Sequence, residues 1–234
     1  MNPVLYDKKV TCPVCNLTFH TKKVRTSTIR IKKRDTDFCI YYEGENPLFY
    51  EVFACPNCGY AALEKVFDDI TPSQKQLIQS KISKQWVQRD LGQARTVQEA
   101  IEVYKLALLC SEVLNQKKDR LGLICLRLAW WYRYLEDKEN EKIFLKHAVN
   151  CFEDAFRFGA GTNGRLVDDI MLLYLLGELN RRLGRYEEAV AWFNRTISQP
   201  GIQTRKKIEE QAREQWRLAK EAYRKIKEDG GEEK

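Results

Sequence analysis

Four cysteines carry the most specific chemistry in this chain. Cys12-Pro-Val-Cys15 and Cys55-Pro-Asn-Cys58 write the same C-x2-C phrase twice, with 39 residues between the pairs. A zinc ion takes four ligands in a tetrahedron, with thiolate sulfur at about 2.3 Å. Two residues between cysteines let a tight turn aim both sulfurs at one ion. Proline stiffens such a turn, and Gly59 after the second pair suits a backbone at positive φ. Two knuckles facing each other complete the shell and leave no open position for a substrate. The gap exceeds the usual 15–20 residues of a zinc ribbon, so a strand-rich insertion is expected between the pairs.

Cys-Pro-x-Cys also serves redox chemistry, but that use expects a single pair at a helix start in a βαβ setting. Here there are two pairs, and strand-like sequence surrounds the first. Cys39 and His20 lie close enough in sequence to substitute as ligands, yet neither has a partner at knuckle spacing. Cys39 is expected as a strand residue and His20 as an exposed one.

Between the knuckles, Ile29 and Ile31 flank Arg30, and Phe38, Ile40 and Tyr42 share one face of a period-two strand. "EGENP" from Glu43 reads as a turn, and "LFYEVFAC" as the strand returning to the second knuckle. Residues 1–62 are thus expected to form a small β-rich, zinc-ribbon-like metal module.

After Ala61 the pattern becomes helical. Thr71-Pro72 with Gln74, and Thr96 with Glu99, are capping boxes that open helices. Val97, Ile101, Tyr104 and Leu108 follow as one apolar stripe. Further helices are expected at about 119–136, 139–158, 165–183, 185–198 and 204–228, punctuated by Gly184 and Pro200-Gly201. The fold class is mainly α: the metal module, a helical domain over 63–230 and a disordered tail at 231–234.

The run from Leu172 to Pro200, "LLYLLGELNRRLGRYEEAVAWFNRTISQP", resembles a tetratricopeptide (TPR) repeat, in which small residues let two antiparallel helices approach closely. Leu173, Leu176, Gly177, Gly184, Tyr186, Ala189 and Phe193 match; Asn180 and Thr196 depart from the preferred aromatic and alanine. A looser copy upstream uses Cys125, Leu128, Ala129 and Tyr132, then Ala148, Phe152 and Ala155.

Several features are expected to be structural. "GAGTNG" from Gly159 matches a dinucleotide fingerprint in letters but follows a helix, so it reads as a loop. Cys110, Cys125 and Cys151 lack ligand spacing and read as buried small hydrophobes. Asp168 and Asp169 suit the first turn of a helix. With two histidines and no nucleophile–base pair, no catalytic constellation stands out, and the chain is not expected to be an enzyme.

Composition sets the remaining bounds. The chain has 234 residues, 44% of them hydrophobic and 31% charged, enough apolar content to bury a core. "MNPVLYDKKVTC" lacks the apolar stretch of a signal peptide. The longest apolar run, "IMLLYLLG", falls far short of the roughly 20 residues that span a bilayer. The expectation is a cytoplasmic protein without membrane contact, whose thiols stay reduced. The formal charge of +7 is concentrated in "KKVRTSTIRIKKR" (Lys22–Arg34), which has seven basic residues and no acid. Nucleic acid is a possible partner on that strand but not the favoured one, because no stacking aromatics are interleaved.

The block "CPVC…RTSTIRIKKRDTD…YYEGENPLFYEVFACPNCGYAA" followed by helices resembles the bacterial domain of unknown function 2225 family. The resemblance implies a zinc-ribbon-like module joined to TPR-like helices and assigns no activity. Only the four cysteines carry over as functional positions. The favoured expectation is a non-catalytic interaction protein whose helices hold a protein or peptide partner. In TPR-like arrays the first helix of each hairpin lines a concave face. Leu126, Trp130 and Arg133, flanked by Tyr134, share one such face; Tyr174, Glu178 and Arg181 repeat the spacing. Aromatics beside arginines suit a binding surface, so Trp130, Arg133, Tyr134, Tyr174, Glu178 and Arg181 are the candidate partner-binding residues.

Overall fold

The computed structural model describes residues 4–158 and 166–229, so the Gly159–Gly164 run and the expected tail at 231–234 lie outside the described residues. Six strands come first: β1 (Leu5–Thr11), β2 (Thr18–Val24), β3 (Arg30–Arg34), β4 (Ile40–Glu43), β5 (Val52–Ala54) and β6 (Ala61–Leu63). The helices follow: α1 (Pro72–Lys81), α2 (Val97–Val113), α3 (Lys118–Tyr134), α4 (Lys138–Phe158), α5 (Asp169–Arg182), α6 (Tyr186–Ile197) and α7 (Lys206–Asp229). The chain is mainly α with a small β portion. Both capping boxes form: the Thr71 and Thr96 hydroxyls accept from the backbone N–H groups of Gln74 and Glu99, whose side chains reach back.

The strands pair as three separate antiparallel hairpins, β1–β2, β3–β4 and β5–β6. Thr11 faces Thr18 in the first, and Ala54 faces Ala61 in the third. Each C-x2-C knuckle is therefore the turn of its own hairpin. Three expectations need correction here. The return to the second knuckle is not one strand, because Pro47–Tyr50 is a 3-10 turn whose start is capped by Asn46 accepting from the Leu48 N–H. The basic run Lys22–Arg34 is not one strand either. A 3-10 turn at Thr26–Thr28 divides it between β2 and β3, which belong to different hairpins. Phe38 does not share the face of Ile40 and Tyr42, because its backbone sits at φ +66° before β4 begins.

The chain divides into two compact units. The first contains residues 4–35, 39–116 and 124–141. In it α2 packs on β5 and β6, with Ala100, Val103, Tyr104 and Ala107 fully buried. The Trp131 ring meets Phe49 and Tyr104 edge-on.

The second unit holds residues 36–38 and 117–123 and the described residues from 142 onward. Here α5 and α6 form an antiparallel hairpin with α7 packed against both. Gly177 is required by close approach: a Cβ there would sit 2.6 Å from the Phe193 ring. Gly122 bears the same relation to Phe152, at 2.5 Å. Asn180 and Thr196, the two departures from the repeat pattern, are buried, and each bonds the carbonyl four residues back (Leu176 and Trp192). These two donors are satisfied within their own helices.

Three helices end in one kind of turn. After α2 the N–H of Asn115 donates to Glu112 and that of Gln116 to Ser111; Glu136 and Asp137 repeat the pair after α3, Gly184 and Arg185 after α5. This is the Schellman arrangement, which puts one residue in the left-handed region. Only the third has glycine there; Asn115 and Glu136 take φ +47° and +58°.

Glu136→Gly is therefore expected to stabilise the protein by about 0.5–1 kcal/mol, and Gly184→Ala to cost about 1 kcal/mol. No atom lies within 4 Å of a Cβ at Gly184, so its loss would be conformational alone. Paired thermal or urea melts check both signs.

Candidate metal centre

The two knuckles are built alike. The Cys12 N–H donates to the Leu17 carbonyl and the Asn16 N–H to the Cys12 carbonyl; Cys55 and Tyr60, then Gly59 and Cys55, repeat those bonds. Each knuckle needs one residue at positive φ, supplied by Asn16 at +60° and by Gly59 at +73°. Asparagine is among the few side chains that tolerate this region.

The turns bring Cys12, Cys15, Cys55 and Cys58 together, with their four Sγ atoms all within 4.8 Å of one another. Sγ of Cys12 lies 3.6 Å from that of Cys58, and Sγ of Cys15 lies 3.5 Å from that of Cys55. A regular tetrahedron with ~2.3 Å metal–sulfur bonds has edges of about 3.8 Å. The cluster is thus close to the size a single ion demands, and both short contacts run between knuckles. Cys12, Cys55 and Cys58 are buried and Cys15 is half-buried.

Shared hydrogen bonding polarises the group. Bonding with Cys55 pushes the Cys12 thiol up to about 12, and bonding with Cys12 holds Cys55 down at about 2. Cys58 is also pushed up, first by Cys12. Neighbouring thiolates repel, so these sulfurs ionise together only around a cation. Cys39, though buried, and the exposed His20 are not members of the cluster.

Residues with no ligand spacing hold the second knuckle in place. The Trp86 indole N–H donates to the Pro56 carbonyl at 2.9 Å, and the Ser83 hydroxyl to the Cys58 carbonyl at 2.9 Å. Gln88 bonds Asn57. The Cys110 thiol donates to the Gly59 carbonyl, and burial pushes that thiol up to about 11. Behind the knuckles, Phe67 packs with Phe19, Phe53 and Tyr60, whose hydroxyl donates to the Phe67 carbonyl. Nothing in the spacing of Ser83 or Trp86 announces this role.

The basic run is partly neutralised locally. Lys22 pairs with Asp7, Lys23 with Glu64 and Lys33 with Asp35, while Arg25 lies over the Tyr6 ring. All five residues of β3 are exposed.

The six candidate partner-binding residues do not line an open groove. Trp130, Tyr174 and Glu178 are 2%, 0% and 0% exposed, so the expectation that they face solvent is corrected. Within the first unit, Trp130 packs against Trp131 and under Arg127. Arg133 bridges Asp35 and Glu141, and the Tyr134 hydroxyl donates to the Ile40 carbonyl. Within the second unit, Tyr174 donates to the Thr36 carbonyl and Arg181 grips both oxygens of Glu178. These side chains are occupied by the chain itself.

The family model described as "Uncharacterized protein conserved in bacteria (DUF2225)" matches residues 5–219. An uncharacterized protein of Borreliella burgdorferi is 27% identical over 158 residues, covering 58% of this chain and 55% of that protein. The chain thus spans little more than half the length of that relative. No solved structure matches.

The two positive-φ positions are expected to respond oppositely to substitution. A Cβ at Gly59 would lie 2.6 Å from the Trp86 ring, so Gly59→Ala combines strain with overlap and should cost about 2–4 kcal/mol. Asn16→Gly should stay within about 0.5 kcal/mol of the parent. Chemical denaturation of the two variants side by side provides the check.

Proposed function

The chain belongs to a family of uncharacterized proteins conserved in bacteria, and we propose that it is a non-catalytic zinc-binding protein with TPR-like helices that acts as a protein–protein interaction or scaffold module. The observation that carries this reading is the cluster of four sulfurs within 4.8 Å on two matching knuckles. An all-thiolate tetrahedron is the donor set of structural zinc. Cys12, Cys15, Cys55 and Cys58 would hold the ion, which would supply positive charge and a cross-link between hairpins rather than an activated water. Four protein ligands leave a tetrahedral ion no site for substrate.

Other features support the interaction role. Helical hairpins closed on small residues, as at Gly177 against Phe193, are the unit from which TPR-like arrays are stacked. Thiolate ligation fits a reducing, cytoplasmic setting. Among the described residues no helix is long and apolar enough to cross a membrane.

Elemental analysis of the purified protein is expected to give one zinc per chain and no stoichiometric iron. Cys12→Ser with Cys55→Ser should abolish retention, and loss of cooperative unfolding in the β hairpins should accompany it. Zinc uptake should release protons, since Cys12 gives up a thiol proton held to about 12. Affinity must then fall as pH falls, and a pH-indicator titration reads this directly. Full zinc retention by the double variant would overturn the assignment. For the interaction role, native pull-down with mass spectrometry should return the same identified proteins in replicate, absent from a bead control; their absence would count against it.

A further inference from the structure

The residues nominated for a partner already hold a peptide segment, and it is this chain's own. Within the second unit, the Tyr174 hydroxyl donates to the Thr36 carbonyl at 2.8 Å. The Thr36 hydroxyl donates to a Glu178 carboxylate oxygen. Arg182 donates to Thr36 Oγ1 at 3.2 Å and lies 3.4 Å from an Asp37 carboxylate oxygen. The Phe38 ring sits 5.1 Å from the Tyr174 ring, against the core that Ala189, Phe193 and Ala212 share.

Each side chain of Thr36–Phe38 is thus met by its chemical complement: hydroxyl by carboxylate, carboxylate by guanidinium, ring by ring. Plain packing would not need this. Asp37 and Glu178 are fully buried, and apolar residues of similar size would fill such space at lower cost. Phe38 is held at φ +66°, a conformation a bulky residue keeps only when its surroundings impose it. Arg181 and Arg182 both bond Glu178, which fixes its carboxylate toward Thr36.

We propose that the α5 face formed by Tyr174, Glu178 and Arg182 is a recognition surface for short Thr-Asp-aromatic peptide segments, occupied in cis by Thr36–Phe38. This rests on the interaction-protein reading and adds to it the chemistry of the partner and a means of regulation. A partner displaying such a segment competes with the tethered one. Its apparent affinity is reduced by the fraction of time the surface is free.

The test uses the full chain and a fluorescein-labelled peptide carrying residues 34–40, with serine in place of Cys39. Thr36→Ala with Phe38→Ala weakens the cis segment, and fluorescence anisotropy should show this variant binding at least tenfold tighter than the parent protein. The same peptide with asparagine at the Asp37 position should bind the variant at least fivefold more weakly. Equal binding by parent and variant, or no binding by either, overturns the proposal. If the variant does not fold, the parent protein decides: excess peptide must speed hydrogen exchange at amides 36–38, and unchanged exchange overturns the proposal. A peptide that fails while the parent still captures partners in the pull-down rejects this surface and leaves the interaction reading standing.

Discussion

Four sulfurs within 4.8 Å of one another set the terms for the first unit, since thiolates at that range repel unless a cation sits among them. The backbone must hold them there while one knuckle lies 40 residues beyond the other. It does so by making each knuckle a hairpin turn, so that pairing in β1–β2 and β5–β6 holds the two ends of each turn together. The surroundings then limit movement: Phe19, Phe53 and Tyr60 from the two knuckle hairpins pack on Phe67, and Ser83 and Trp86 are bonded to the carbonyls of the second knuckle. Supporting bonds to backbone around a ligand set commonly decide how well it holds its ion.

The helical part follows a different economy, in which local geometry is reused. One hydrogen-bonding scheme closes three helices, and two glycines admit aromatic rings at the points of closest approach. Where the pattern departs from small or aromatic residues, as at Asn180 and Thr196, the polar atom turns back onto its own helix. Other buried polar groups of the second unit reach far along the sequence: Asp119 accepts from the Leu166 N–H, and Glu178 accepts from the Thr36 hydroxyl.

Features set by short-range rules were legible in the sequence. The cysteine spacing, the two capping boxes and the positive φ of Gly59 each depend on residues within a single turn, and each appears as expected. The seven helices expected from periodicity and caps all form, with ends moved by a few residues. What was not legible depends on distant partners. Tyr174 and Glu178 share a helical face with Arg181, as the spacing implied, but only the fold shows that residues 36–38 cover that face. Trp86 braces a knuckle nearly thirty residues upstream, and a tryptophan after a polar run gives no sign of it. The strand expected over Leu48–Cys55 survives only as β5, its first half lost to an asparagine cap and a proline, a local competition that β-propensity alone does not weigh.

The first unit is discontinuous in sequence: it is left at residue 36, regained at 39, left again at 117 and regained at 124. Its apolar strands β5 and β6 are covered by α2, which begins only at Val97. A protein shortened to its first 62 residues would keep all four cysteines yet bare Val52, Phe53 and Ala61 to water. Such a fragment would carry the ligands and lack the roof, and sticky hairpin edges would make it a candidate for aggregation. Chelating residues and the residues that keep them soluble are thus shared out along nearly half the chain, from Cys12 to Val113, so the metal centre is not a portable cassette.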